Sequence, residues 1–311
     1  TVKRLYRDLV ELGYTGSYDR VAAFARQWRQ EQQEAKHLSS QWAYVTLQFA
    51  PGEAFQFDWS EDWVKINGVS TKLQIAHVKL SHSRAFFIRA YLTQSHEMLF
   101  DAHYHAFVAF GGIPERGIYD NMKTAVDAIF VGKERAYNRR FAQINRRFAQ
   151  MCGHYLVEPV ACTPASGWEK GQVEKAVLDA RHGLWYDAPP FKSLQELNQW
   201  LSGRCRELWQ EIAHPELKVQ SLAECLADEL PHMMAVPAAF DGFIEHSKRV
   251  SSTCLITFER NRYSVPASFA NRPVSLHIYP TRLVIVAEGH VVCEHQRIIE
   301  RSHRHPGRVI Y

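Results

Sequence analysis

Residues 53 to 93 constrain this chain more than any other stretch. Phe55, Phe57 and Trp59 alternate with Ala54, Gln56, Asp58 and Ser60, the period of two that sends one set to each face of a strand. Asn67-Gly68 is the dipeptide of a two-residue type I′ hairpin, whose central residues both need φ > 0. Leu73 to Leu80 and Ala85 to Leu92 read as two further strands. From about His96 to Phe110 the spacing turns helical, and Ile113-Pro114 leads into a short apolar strand ending at Asp120. A second helix is expected from about Asn138 to Met151, a strand from Tyr155 to Ala161, and a helix over 164–184. Three antiparallel strands, then helices alternating with single strands, specify an α/β fold with a mixed sheet.

The flanks have a different texture. Val2, Leu5, Leu9 and Val10 stand at helical spacing, Gly13 to Ser17 breaks the pattern, and Tyr18, Val21, Ala22, Phe24 and Ala25 begin a second helix with Arg26 and Arg29 outside. This predicts a helix-turn-helix and linker over 1–35, although any αα-hairpin fits the same spacing. Ser193-x-x-Glu196 and Ser221-x-x-Glu224 match the capping box, in which hydroxyl and carboxylate satisfy each other's free N–H groups. They mark a helical connector over 191–245. Short strands with frequent turns then predict a small, barrel-like β module over 246–311. The α/β core occupies 51–190. For 311 residues, a division at roughly 150 per domain allows this layout.

Several functions fall away. No apolar run approaches the ~20 residues that span a bilayer, and the first thirty residues lack the apolar core of a secretory signal. The six cysteines form no C-x-x-C motif, which fits single thiols in a reducing cytosol. No P-loop is present. His96-Glu97 starts like a zinc-protease motif, but position 100 is Phe. The chain opens at Thr1 within a helical pattern, as expected of a piece of something longer.

Three carboxylates carry the chemistry. Asp58 lies mid-strand on the face of small polar residues, where an ionised carboxylate calls for a partner or an ion; a solvent-facing edge strand is the alternative. Glu61 and Asp62 are placed where the strand turns. Asp120 ends a strand, where α/β sheets bind ligands, though an Asp there also caps helices. Glu174 borders the stripe Val173, Val177, Ala180 and Leu184, with Lys170 and Arg181 on its face. A solvated pair with Lys170 would contribute only ~0.3–0.5 kcal/mol. Glu169, in Ser166-Gly-Trp-Glu169, fits a capping box and competes for the third position. Oxygen ligands from two strands and a helix suit Mg²⁺ or Mn²⁺. Two such ions about 4 Å apart serve phosphoryl transfer.

Basic residues surround this pattern. Lys133, Arg135, Arg139, Arg140, Arg146 and Arg147 stand against Glu134 alone, an imbalance that favours a phosphate backbone. Arg297, Arg301, Arg304 and Arg308, with His303 and His305, form a second basic group with the same expectation. The net charge of +4 permits a polyanion without demanding one.

Phe-Gln-Phe-Asp58-Trp-Ser, Tyr-Asp120-Asn-Met-Lys-Thr-Ala-Val and Gly171-Gln-Val-Glu174-Lys-Ala-Val resemble the three acidic motifs of DDE transposases and retroviral-type integrases. Their closest likeness is to the IstA transposases, encoded beside an AAA+ ATPase called IstB. The resemblance runs along nearly the whole chain. It implies an RNase H-like core with Asp58, Asp120 and Glu174 as catalytic ligands of two Mg²⁺ or Mn²⁺ ions. The gap from Asp120 to Glu174 is longer than integrase-like cores commonly have, which keeps Glu169 in contention. It also implies a further helix-turn-helix before residue 1.

The expected activity is therefore metal-dependent cutting of transposon ends, then joining of the freed 3′-OH to target DNA, in a cytoplasmic, nucleoid-associated bacterial protein. A nuclease that never joins, or a DNA-binding regulator with an inactive core, are the alternatives. The DNA contacts expected are Lys170, Arg181, Arg135, Arg139, Arg140, Arg146, Arg147, Arg26 and Arg29. The partners implied are end DNA, target DNA, an IstB-like ATPase and at least one further copy of the chain. Polar helices around 17–40 and 193–230 are the surfaces expected to join copies.

Overall fold

A computed structural model of the protein describes residues 9–10, 12–25, 48–119, 139–161, 188–299 and 309–311, with backbone alone at 139–145 and 161. Thr1–Leu47 and Gln48–Tyr311 form two compact units. In the first, a turn at 12–13 precedes a helix over 18–25, and Gly13 has φ 94°. Val21 and Ala25 are buried, whereas Phe24, expected on the same apolar stripe, is 67% exposed. Arg26 and Arg29 lie outside the described residues.

The second unit begins with three antiparallel strands, β1 (Ala54–Ile66), β2 (Val69–Leu80) and β3 (Phe86–Tyr91). Asn67 and Gly68 have φ 49° and 76°, as a type I′ turn requires. Helix α1 (His96–Phe110) leads to β4 (Arg116–Tyr119), and α2 (Arg139–Tyr155) leads to β5 (Glu158–Ala161). β4 runs parallel to β1, and β5 parallel to β4. The sheet order is β3-β2-β1-β4-β5, the mixed sheet expected. β1 is thus central, which removes the edge-strand reading of Asp58.

Two local expectations are corrected. β1 does not turn at Glu61 and Asp62 but stays in register with β2 as far as Ile66 and Val69. Glu61 is held by Lys72 and by Gln74, at 2.5 and 3.0 Å, cross-strand partners that stabilise a polar strand end. Tyr155 ends a helix instead of starting a strand. Phe148, Met151, Cys152 and Tyr155 are buried together at the spacing of one helical face.

The connector packs on the sheet. Helix α3 (Leu194–Glu211) covers the outer edge of β3, whose peptide groups would otherwise lack partners. Asn198 accepts from Ala90 N and donates to Ala90 O, at 2.7 and 2.9 Å. Trp209 Nε1 donates to Phe86 O at 2.8 Å. At its start, Ser193 Oγ accepts from Glu196 N, but Glu196 turns to Lys192 N, so the box is shifted by one residue. Helix α4 (Leu222–Glu229) has the full box, Ser221 with Glu224. At its end, the buried Glu229 carboxylate accepts from Gly52 N and Ser83 N, at 3.1 and 3.0 Å. The buried faces of α3 and α4 are therefore occupied within the chain, while Leu217, Val219 and Leu230 remain exposed.

Strands β6 (Ile244–Arg249), β7 (Leu255–Phe258), β8 (Asn261–Ser264), β9 (Pro273–Ile278), β10 (Arg282–Ala287), β11 (His290–Gln296) and β12 (Val309–Ile310) follow. They make two sheets, β11-β10-β9-β6 and β12-β8-β7. A second apolar core including Ile256, Tyr263, Leu276, Leu283 and Ile285 lies within this module. β6 carries no apolar alternation in Ile-Glu-His-Ser-Lys-Arg, and it begins just before the expected boundary at 246. Among the described residues, no helix is long and apolar enough to cross a membrane.

Candidate metal-binding and nucleic-acid site

Asp58 stands on the central strand with its side chain exposed, between the buried Phe57 and the half-buried Trp59. Its Oδ1 accepts from Trp59 N at 2.8 Å. On β2 its paired residue is His77, whose Nε2 lies 2.7 Å from Ser60 Oγ. The alternation expected of β1 therefore holds here: the carboxylate projects from a polar face and the aromatic rings from the other. An exposed carboxylate is the ligand type that hard divalent ions take.

β4, described as far as Tyr119, reaches the level of Phe57. Phe57 pairs with Tyr119, and Asp58 and Asp120 are the residues that follow these two in sequence. Below this pair, on the inner face, lies His103 of α1, fully buried. Its ring stacks on Phe57 with centroids 4.8 Å apart and planes at 16°. Nδ1 is 2.8 Å from Leu99 O and Nε2 is 3.0 Å from the Tyr119 hydroxyl. A carbonyl only accepts, so Nδ1 carries the hydrogen and Nε2 accepts from Tyr119. Burial pushes the imidazole down to about 4 and raises the Tyr119 hydroxyl well above its ordinary value. Both groups are neutral near pH 7. Sequence reasoning missed this layer, although Leu99, His103 and Phe107, four residues apart, mark the buried stripe of α1.

Asp120, Glu169, Lys170, Glu174, Arg181, Arg135, Lys133, Arg26 and Arg29 lie outside the described residues. Among the described residues, no group of three His, Cys, Asp or Glu side chains is placed to hold a metal. Arg139 and Arg140 open α2, and Arg146 is exposed on it.

Arg147, expected on phosphate, has partners within the chain. Its nitrogens donate to Phe243 O at 3.1 Å, Gln150 Oε1 at 3.0 Å and Asp241 O. Its guanidinium lies 4.4 Å over the Phe243 ring, a cation–π contact. Every nitrogen is thus committed within the chain. Arg297 is partnered in the same way. Its side chain is 2% exposed and pairs with Glu97 and Glu259, each at 2.7 Å. Burial opposes its charge, but the two carboxylates outweigh that and raise its proton affinity. Glu97 also accepts from Ser95 Oγ at 2.5 Å, so its role is to bind an arginine. Arg301, His303, Arg304, His305 and Arg308 are outside the described residues.

Residues 236–305 match the family described as Mu transposase, C-terminal domain. A transposase of Aminobacter aminovorans is 57% identical over 311 residues, covering 100% of this chain and 60% of that protein. The transposase for insertion sequences IS1326/IS1353 of Pseudomonas aeruginosa is 56% identical over 310 residues, with the same coverage. The transposase for insertion sequence element IS21 of Pseudomonas aeruginosa is 28% identical over 281 residues, covering 88% of this chain and 66% of that protein. The chain spans about 60% of the length of the first two relatives, and it is similar to these transposases over its whole length.

Proposed function

We propose that this chain is the catalytic and C-terminal part of a DDE-type DNA transposase with an RNase H-like core. The observation that carries the proposal is the pairing of Phe57 with Tyr119. Consecutive Cα atoms are 3.8 Å apart and paired strands about 4.8 Å apart, so the carboxylates that follow this pair in sequence start within reach of a shared ion. The central position of β1 and the homology to transposases support the same reading.

In this proposal Asp58, Asp120 and Glu174 hold two Mg²⁺ or Mn²⁺ ions, with Glu169 the rival for the third place. When bound, the ions activate the attacking oxygen and stabilise the leaving one in an in-line displacement. Water first displaces the transposon 3′-oxygen from phosphorus, leaving a 3′-OH and a 5′-phosphate on the flank. That 3′-OH then attacks a target phosphodiester and displaces the target 3′-oxygen. No serine or tyrosine nucleophile is needed.

Lys170, Arg181, Arg135, Arg139, Arg140 and Arg146 are assigned to the phosphate backbone, with Arg26 and Arg29 on a helix-turn-helix. Arg147 is left out because each of its three nitrogens already has a partner within the chain. Pairing two ends requires at least two copies, and an IstB-like AAA+ ATPase is the proposed partner at target DNA.

The test is strand transfer of pre-cut end DNA in Mg²⁺. The wild type yields joined products, while Asp58→Asn and Asp120→Asn bind the DNA without joining it. Wild-type joining by either variant removes that residue from the site. Hydrolysis without joining by the wild type selects the nuclease alternative.

A further inference from the structure

We propose that His103 is a positioning residue, which fixes the spacing of the paired Phe57 and Tyr119, the residues that precede Asp58 and Asp120. The inference rests on the proposed metal site and adds a part that neither the acidic motifs nor the homology assigns.

Among the described residues, the ladder between β1 and β4 runs from Ala54↔Arg116 to Phe57↔Tyr119. β1 itself continues past this pair, held on its other side by β2 as far as Ile66. Phe57 and Tyr119 are each 1% exposed, and both meet the same imidazole. The ring stacks on Phe57 and accepts from the Tyr119 hydroxyl at 3.0 Å. The imidazole is itself fixed by the Leu99 carbonyl one turn earlier in α1 and by edge-on contact with Phe107 at 5.9 Å.

One rigid group therefore touches the residue before each aspartate and ties both to one helix. An aliphatic side chain there would pack, but it would offer Tyr119 no acceptor and leave a buried hydroxyl unpaired. Groups that orient metal ligands from behind influence affinity without touching the ion. Here the device acts on backbone position, since His103 touches neither carboxylate's own residue in the contacts described.

The test uses the 311-residue protein and two readouts: direct Mn²⁺ binding by electron paramagnetic resonance, and the Mg²⁺ concentration giving half-maximal strand transfer. Tyr119→Phe removes one oxygen and keeps the ring; His103→Leu removes the acceptor; His103→Gln can restore an acceptor toward Tyr119. Tyr119→Phe and His103→Leu are expected to weaken Mn²⁺ binding about tenfold and to raise the Mg²⁺ requirement alike, as loss of supporting partners does elsewhere. His103→Gln should recover most of that loss, and DNA affinity should stay unchanged.

A folded Tyr119→Phe protein with wild-type Mn²⁺ affinity overturns the proposal, even if His103→Leu fails to fold. Equal loss in His103→Gln and His103→Leu also overturns it, because packing alone would then explain the effect. Asp58→Asn separates the two readings. If it binds Mn²⁺ like wild type, the metal site itself is misassigned. If it loses the metal while Tyr119→Phe does not, only the role of His103 fails.

Discussion

His103 has a thermodynamic signature of its own. Its imidazole is held neutral by burial, with its proton affinity pushed down to about 4 from an ordinary 6.5. Above pH 6.5 neither the folded nor the unfolded chain protonates it, so it contributes no slope. As pH falls from 6.5 toward 4 the unfolded chain takes up the proton and the folded chain does not, so stability is lost across that window. At about 1.4 kcal/mol per unit, the loss is roughly 3 kcal/mol by pH 4. Urea unfolding at pH 7, 5.5 and 4.5 should show a steeper decline for wild type than for His103→Gln; parallel curves would contradict the assignment. The carboxylates that also titrate there are common to both proteins and cancel in the comparison.

Among the elements, α3 and α4 separate two kinds of stabilisation. The cap at Ser221 is exposed and local, so Ser221→Ala should cost about 1 kcal/mol. The Asn198 amide is buried against the edge of β3, and Asn198→Leu leaves Ala90 N–H and C=O without partners. At about 1–3 kcal/mol for each stranded group, that variant should lose more stability in urea than Ser221→Ala. It should also speed amide exchange at Ala90. Equal costs would mean that water reaches the edge. The contrast explains what could be read from the chain in advance. Ser221-x-x-Glu224, the alternation before Asp58 and Asn67-Gly68 are patterns closed within a few residues, and each produced its element. The course of β1 past Glu61 depends on Lys72 and Gln74 across the hairpin, and the start of β6 on pairing with β9; neither partner is visible in the local pattern. Arg147 and Arg297 looked like phosphate ligands because charge can be counted along a sequence, whereas Asp241, Phe243, Glu97 and Glu259 approach them only through the fold.

For the molecule as a whole, the contact between α1 and the β module is the widest consequence of that buried arginine. Glu97 and Arg297 lie 200 residues apart in sequence, and both are nearly sealed from solvent. Removing one partner of such a pair costs ~3–5 kcal/mol, mostly by stranding the other charge. Arg297→Met should therefore be strongly destabilised, and Glu97→Gln/Arg297→Met less so than Arg297→Met alone. Denaturant curves for Glu97→Gln, Arg297→Met and the double variant decide the matter; a double variant weaker by the sum of both single losses would exclude this coupling. The strand carrying Asp58 imposes a different kind of limit, on residue number instead of identity. Its side chains change face at every step. Loss of one codon between Ala54 and Phe57 would swing the carboxyl toward α1 and turn a phenyl ring outward. In-frame deletions there should therefore be harsher than most substitutions at the same positions.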